Sequence, residues 1–162
     1  MWLACHESSL AKTIPNPIPL ISHATLCELF EWGKDAHGRL AEVIVIDQFS
    51  RNMFRNSPLS FTYDSLALAL AQEAISVGAD KLLEQTERSF LYMPFMHSES
   101  MKIHEIATRL FRDNGNQNSL AFELKHKAII ERFGRYPHRN SILGRKSTDD
   151  EIKFLKQPGS GF

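Results

Sequence analysis

Apolar residues along most of this chain recur at the spacing of one helix face. From Ser98-Glu99 to about Asp113, Met101, Ile103, Ile106, Ala107, Leu110 and Phe111 fall on one side, which predicts an amphipathic helix stopped by Asn114-Gly115-Asn116. Residues 119–133 repeat the pattern with Phe122, Leu124, Ala128, Ile129, Ile130 and Phe133, and Gly134 closes it. Leu66 to Ala71 alternates Leu and Ala at a strand's period. Both are strong helix formers, however, and the run extends to Val77 before Gly78, so a helix is predicted with Asp64 or Ser65 as N-cap. Arg39 to Asn52 is apolar on more than one face. Its Val43-Ile44-Val45-Ile46 tetrad favours strand, but no turn signal brackets the tetrad and no second β-branched run could pair with it. A buried helix is predicted there.

Shorter helices fill the gaps. Residues 24–32 place Leu26, Leu29 and Phe30 on one side and end at Gly33. Thr86 can cap a helix from Glu87 to Met93, terminated by Pro94. Thr148-Asp149-Asp150-Glu151 spells a capping box for a last helix to Lys156. Ser57-Pro58 marks a turn, and residues 134–147, rich in Gly, Pro and polar groups, read as irregular. Pro15, Pro17 and Pro19 make the beginning extended. The division expected is therefore an extended, Pro-containing arm over 1–23 and one helical domain over 24–162, all-α, with short loops that set neighbouring helices antiparallel.

Composition bounds what such a domain can do. The chain has 162 residues, with 19 Lys plus Arg balanced by 19 Asp plus Glu. Neutrality argues against a nucleic-acid coat or a polybasic membrane anchor. The longest apolar run, Leu66 to Ala71, is too short to span a bilayer. Cys5 and Cys27 are too few for a disulfide scaffold and are expected to be free thiols. With no basic, apolar leader in the first residues, a cytoplasmic protein is expected.

Against that neutral background the cations are unevenly placed. Lys125 to Lys146 holds seven Lys or Arg and one acid, Glu131, interleaved with Phe133, Tyr136, Ile142 and Leu143. This is a folded segment whose arginines suit a carboxylate or phosphate. The same arginines could equally bond helix C-terminal carbonyls and pair with acids elsewhere. A second constellation is Asp47-Gln48-Phe49-Ser50-Arg51-Asn52, where Asp47 with Arg51 and Gln48 with Asn52 are four apart, each pair on one helix face. Following a buried run, they stand at the edge of the core and need partners. A third is Pro94-Phe95-Met96-His97-Ser98-Glu99. Ser98 there can be an N-cap with Glu99 complementing the helix dipole, and His97 has the chemistry of a general acid or base.

Several motifs are excluded. His104-Glu105 lacks the second histidine of a metalloprotease helix, and His97-x-Glu99 lacks the cysteine pair of a zinc deaminase. Gly144-Arg145-Lys146-Ser147 is not a P-loop. No metal and no cofactor are called for.

The three constellations together, with Phe133-Gly134-Arg135-Tyr136-Pro137-His138-Arg139-Asn140 and Leu143-Gly144-Arg145, resemble the bacterial "domain of unknown function 924" family, from about Gly38 to Phe162. The resemblance implies an all-helical fold of the tetratricopeptide-repeat superfamily, antiparallel helix pairs in a right-handed superhelix. Residues 1–23 do not resemble the Phe-Trp-Phe segment that opens the family pattern, which implies a divergent or truncated arm. The resemblance brings no activity. Its motif residues are those already singled out.

Three readings follow. The first in rank is a binding module whose pocket for a small anionic ligand or a peptide segment is formed by Asp47, Gln48, Arg51, Asn52, His97, Ser98, Arg135, His138, Arg139, Asn140 and Arg145. The second is an enzyme on a small anionic substrate, with His97 or His138 as acid/base, Glu99 or Asp47 orienting it, and Arg135 and Arg139 as anion clamp. The third is a buried polar network that only fixes packing. Nucleic acid ranks last among partners.

Overall fold

The computed structural model describes residues 18–161, and among these it is helical with no strand. In chain order the α-helices are α1 (Ile18–Thr25), α2 (Ala36–Ile44), α3 (Ser50–Met53), α4 (Asp64–Ser76), α5 (Gln85–Met96), α6 (Met101–Asn114), α7 (Gln117–Phe133) and α8 (Asp149–Leu155). Tight 3-10 turns stand at Phe30–Lys34, Pro58–Ser60, Ala79–Leu82 and Pro137–Arg139.

The main core lies where α2, α4, α5 and α6 meet, around Leu40, Val43, Leu91, Tyr92, Phe95 and Phe111. Ala67, Ala71 and Ala74 on α4 are fully buried. With no side chain beyond Cβ, they let α4 settle against α2 and α5. The connections 97–100 and 115–116 are so short that α5, α6 and α7 must run back and forth against one another. A smaller cluster of Ile129, Ile130 and Tyr136, joined by Phe133 and Phe154, fastens the end of α7 to α8.

The helix expected over 39–52 is present but not regular. Between α2 and α3 the chain widens into a π-helical turn, Val45–Phe49. Such turns insert a residue into the helical winding and commonly stand at functional sites. Here it carries Asp47 and Gln48, both buried. The helix begins at Ala36, with the Asp35 side chain accepting from the Gly38 amide at 2.8 Å. Gly38 therefore lies inside the first turn rather than before it. A Cβ at Gly38 would stand 2.1 Å from the Trp32 carbonyl oxygen, so only glycine lets the preceding 3-10 turn fold back this closely.

Other boundaries differ from expectation for local reasons. Residues 18–23, assigned to the extended arm, form most of α1 and bury Ile21; residues 1–17 of that arm, with Cys5, lie outside the described residues. Pro19 is tolerated because it falls in the first turn of α1, where no intrahelical donor is required. The helix expected over 24–32 is instead the end of α1, a turn with Cys27 at φ 57°, and the 3-10 turn; Leu26 and Phe30 are exposed. Pro94 does not end α5, which continues to Met96 with Pro94 buried in its last turn. Nor does Thr86 cap that helix: its N-cap is Glu84, whose amide donates to the Glu87 carboxylate at 2.8 Å. The capping box at Thr148 and Glu151 is present as read. No helix among the described residues is long and apolar enough to cross a membrane.

Candidate functional site

The π-helical turn aims Asp47 at the end of α5, where His97 follows the last turn. His97 Nδ1 lies 2.8 Å from Asp47 Oδ1. Gln48 Nε2 also donates to Asp47, and Arg51 Nε reaches it at 3.3 Å along the same winding. Burial alone would raise the Asp47 pKa, but His97, Arg51 and the hydrogen bonds from His97 and Gln48 outweigh it and hold the carboxyl far below its ordinary range. Burial, then the Arg51 charge, push His97 below its ordinary value despite Asp47. The pair near pH 7 is thus an aspartate accepting from a neutral imidazole. Nδ1 carries the proton, because an ionised carboxylate can only accept.

Arg51 continues outward to Asp64 at the start of α4, donating from Nη2 to Oδ1 at 2.6 Å. Asp64 also accepts from Arg139 Nη1 at 3.1 Å, across 75 positions of sequence. Arg139 then donates from Nη2 to the His97 carbonyl at 2.9 Å. Its guanidinium carbon stands 4.6 Å from the Phe61 ring centroid and 4.5 Å from that of Tyr136. Arg139 is 5% exposed. A cation so buried needs these carboxylate, carbonyl and π-face contacts together, since none alone replaces its water.

Glu99 completes the ring. It does not sit at the head of α6, whose N-cap is Ser100. It holds Arg145 in a fork, at 2.7 and 2.9 Å, and accepts from the Tyr136 amide at 2.7 Å. Burial would raise its pKa, but Arg145, the Tyr136 amide and Arg139 lower it. Ser98 accepts from the Ser100 amide at 3.2 Å.

Between these elements opens a cleft of about 320 Å³. His97, Ser98, Glu99, Arg139 and Asp64 form its polar side, and Pro58, Phe61, Leu68, Pro94 and Leu143 its apolar side. His97 Nδ1 is taken by Asp47, so Nε2, which has no hydrogen-bond partner among the described residues, is the ring nitrogen left to the cleft.

Of the residues singled out in the sequence, Asp47, Gln48, Arg51, His97, Ser98, Glu99, Arg139 and Arg145 are thus brought together. Four are not. Arg135 forks onto Glu151 of α8 at 2.7 and 2.8 Å and bonds the Lys146 carbonyl, which removes it from any anion clamp in the cleft. Asn140 bonds Ser147 at 3.0 Å, and Asn52 accepts from Arg55 on the surface. His138 does not line the cleft; its ring lies tilted against Tyr136, and its pKa is lowered to about 4 by burial and by Arg139 and Arg51. Sequence spacing missed Asp64, Phe61 and Tyr136 as site residues. Asp64 was legible only as a helix N-cap, a role it does not play: the N-cap position is Tyr63 and Asp64 opens the first turn.

The chain matches the family model "Bacterial protein of unknown function (DUF924)" over residues 7–159. It belongs to the DUF924 family. The match reaches well before Gly38, where the resemblance in the sequence began, and so takes in α1 and part of the arm. This DUF924 chain is also similar to a solved structure, a protein of unknown function, ATU0120, from Agrobacterium tumefaciens. The two share 32% identity over 93% of this chain and 91% of the other, with a TM-score of 0.83. No curated protein matches. Two of the three motifs, at 94–99 and in the basic segment, line the cleft, and the motif at 47–52 supports it through the Asp47–His97 and Arg51–Asp64 bonds.

Proposed function

We propose that the cleft binds a small molecule whose oxyanion, a carboxylate or phosphate, lies against Arg139 and His97. The observation that carries this reading is a buried guanidinium in the wall of an open cleft, beside an imidazole nitrogen with no bond of its own. Phe61, Leu68, Pro94 and Leu143 suit an apolar body attached to that oxyanion. The carboxylate at a peptide's end offers the same chemistry. A cytoplasmic setting fits a chain with two cysteines and no spanning helix among its described residues.

A second reading, an enzyme acting on a small anionic substrate, is favoured by the His97–Asp47 pair. A neutral imidazole with its outer nitrogen toward a cleft and its inner nitrogen on an aspartate has the form of a general base. His97 is the candidate for that role; Glu99 is occupied by Arg145, and His138 does not line the cleft.

Thermal unfolding against carboxylates, phosphates, nucleotides and short peptides tests the reading. A ligand at 100 times its Kd stabilises by about 2.7 kcal/mol, a rise of roughly 5–10 °C for a domain of this size. That rise is expected in the wild type and reduced in His97→Gln, which removes the cleft nitrogen without stranding a buried cation. No rise with any compound leaves the network as packing alone.

A further inference from the structure

We infer that oxyanion binding in this cleft is coupled to the uptake of one proton by His97, so that the protein binds its ligand as a proton–anion pair. This rests on the oxyanion reading above. Arg51 and Arg139 already share Asp47 and Asp64, and Arg145 is matched by Glu99. With His97 neutral the cluster carries no surplus positive charge. An incoming anion therefore finds fixed cations whose charge is already balanced, and an imidazole whose outer nitrogen presents a lone pair.

The geometry leaves one way to turn that lone pair into a donor. Rotating the proton from Nδ1 to Nε2 would set a bare Nδ1 against the Asp47 carboxylate at 2.8 Å, two acceptors facing each other. Taking a second proton from solvent gives an imidazolium that donates to Asp47 on one side and to the ligand on the other. The proton restores the charge balance that the anion upsets. The groups that face His97 are Asp47 and Arg51 from the π-helical winding and α3, Asp64 from α4, and Arg139 and Glu99 around the cleft. Two nearby histidines, His126 of α7 and His138, do not line the cleft and are pushed down, first by burial, to about 3 and about 4. Near neutral pH they stay neutral and do not take this proton.

The test uses 3-phenylpropanoate, whose ring suits the apolar wall and whose carboxylate is ionised throughout pH 6.5–8.5. Its Kd is followed by NMR titration, and the ¹⁵N shifts of the His97 ring report its protonation. Wild-type Kd is expected to weaken tenfold per pH unit across the alkaline part of that range, with the His97 ring changing from neutral to imidazolium on saturation. His97→Gln is expected to bind more weakly and with a flat pH dependence. Binding with a flat pH dependence in the wild type, or an unchanged slope in His97→Gln, overturns the coupling while leaving the oxyanion reading in place. No binding at any pH, with the fold intact by its amide spectrum, overturns both.

Discussion

Arg139 concentrates the electrostatics of the molecule in one side chain. It bonds Asp64 of α4 and the carbonyl after α5 while its plane is held between Phe61 and Tyr136. Removing one partner from such a buried set leaves the others uncompensated, which typically costs about 3–5 kcal/mol. Arg139→Gln is expected to lose stability of that order in urea unfolding. Arg139→Lys should restore little, because an ammonium can neither fork between Asp64 and a carbonyl nor stack between two rings. A loss under about 1 kcal/mol in Arg139→Gln would show that the network does not hold the fold together. His97 differs in kind: it bonds Asp47 from the edge of the cleft, and its substitution leaves no buried cation behind.

At the scale of the element, the π-helical turn and the close approach at Gly38 belong to the same helix. The approach fixes where the helix begins, and the turn fixes which way Asp47 points. In an open helix Gly→Ala gains about 1 kcal/mol. At Gly38 the new methyl would meet backbone, the Trp32 carbonyl, at 2.1 Å, and backbone cannot rotate away as a side chain can. Strain wins, and Gly38→Ala is expected to be destabilised by about 1–3 kcal/mol and to melt lower than wild type. A higher melting temperature would mean that the 3-10 turn yields cheaply and does not anchor the helix. The basic segment has a similar logic. Gly134, at φ 68°, ends α7 and turns the chain so that Arg139 reaches the cleft, backed by the buried Tyr136 ring, while Arg135 pairs with Glu151 of α8.

Over the whole molecule, three wholly or partly buried histidines set the response to acid. His97 is pushed down from its ordinary value, His126 to about 3 and His138 to about 4, in each case first by burial. An unfolded histidine titrates near 6.5, so as pH falls below about 6.5 the unfolded chain takes up protons that the folded chain refuses. Stability present above that pH is therefore lost on acidification, at about 1.4 kcal/mol per pH unit for each such group. The depressed carboxylates Asp47, Glu99 and Glu151 act in the same direction only below about pH 4.5. The raised groups Glu42 and Glu123 oppose it. Urea unfolding at pH 7.5, 6.5 and 5.5 should show the loss, and His126→Gln should flatten the slope by one proton. An identical slope in that variant would place the acid response elsewhere.

How much of this was legible in the sequence depended on range. The helices at 64–76, 101–114 and 117–133 were readable because periodicity and stop residues act within a few positions. So was the capping box at Thr148, whose chemistry is complete in four residues. The clustering of Asp47, His97 and Arg139 motifs could be named as three separate oddities. Their meeting could not, because a contact 50 or 75 positions long leaves no trace in local spacing. Arg135 and Arg139 look alike in sequence, yet one pairs with Glu151 on α8 and the other is buried at the cleft. Asp64 read as a cap because the cap is the local use of an acid at a helix start, whereas two arginines from elsewhere claim it. By itself, then, the sequence determined the helical class, the main helices and the chemical character of its polar motifs, since these are set by propensities and periods of a few residues. Tertiary structure alone decided which cations are spent on internal carboxylates and which nitrogen is left to the cleft, because charge pairing and burial depend on what distant segments bring together.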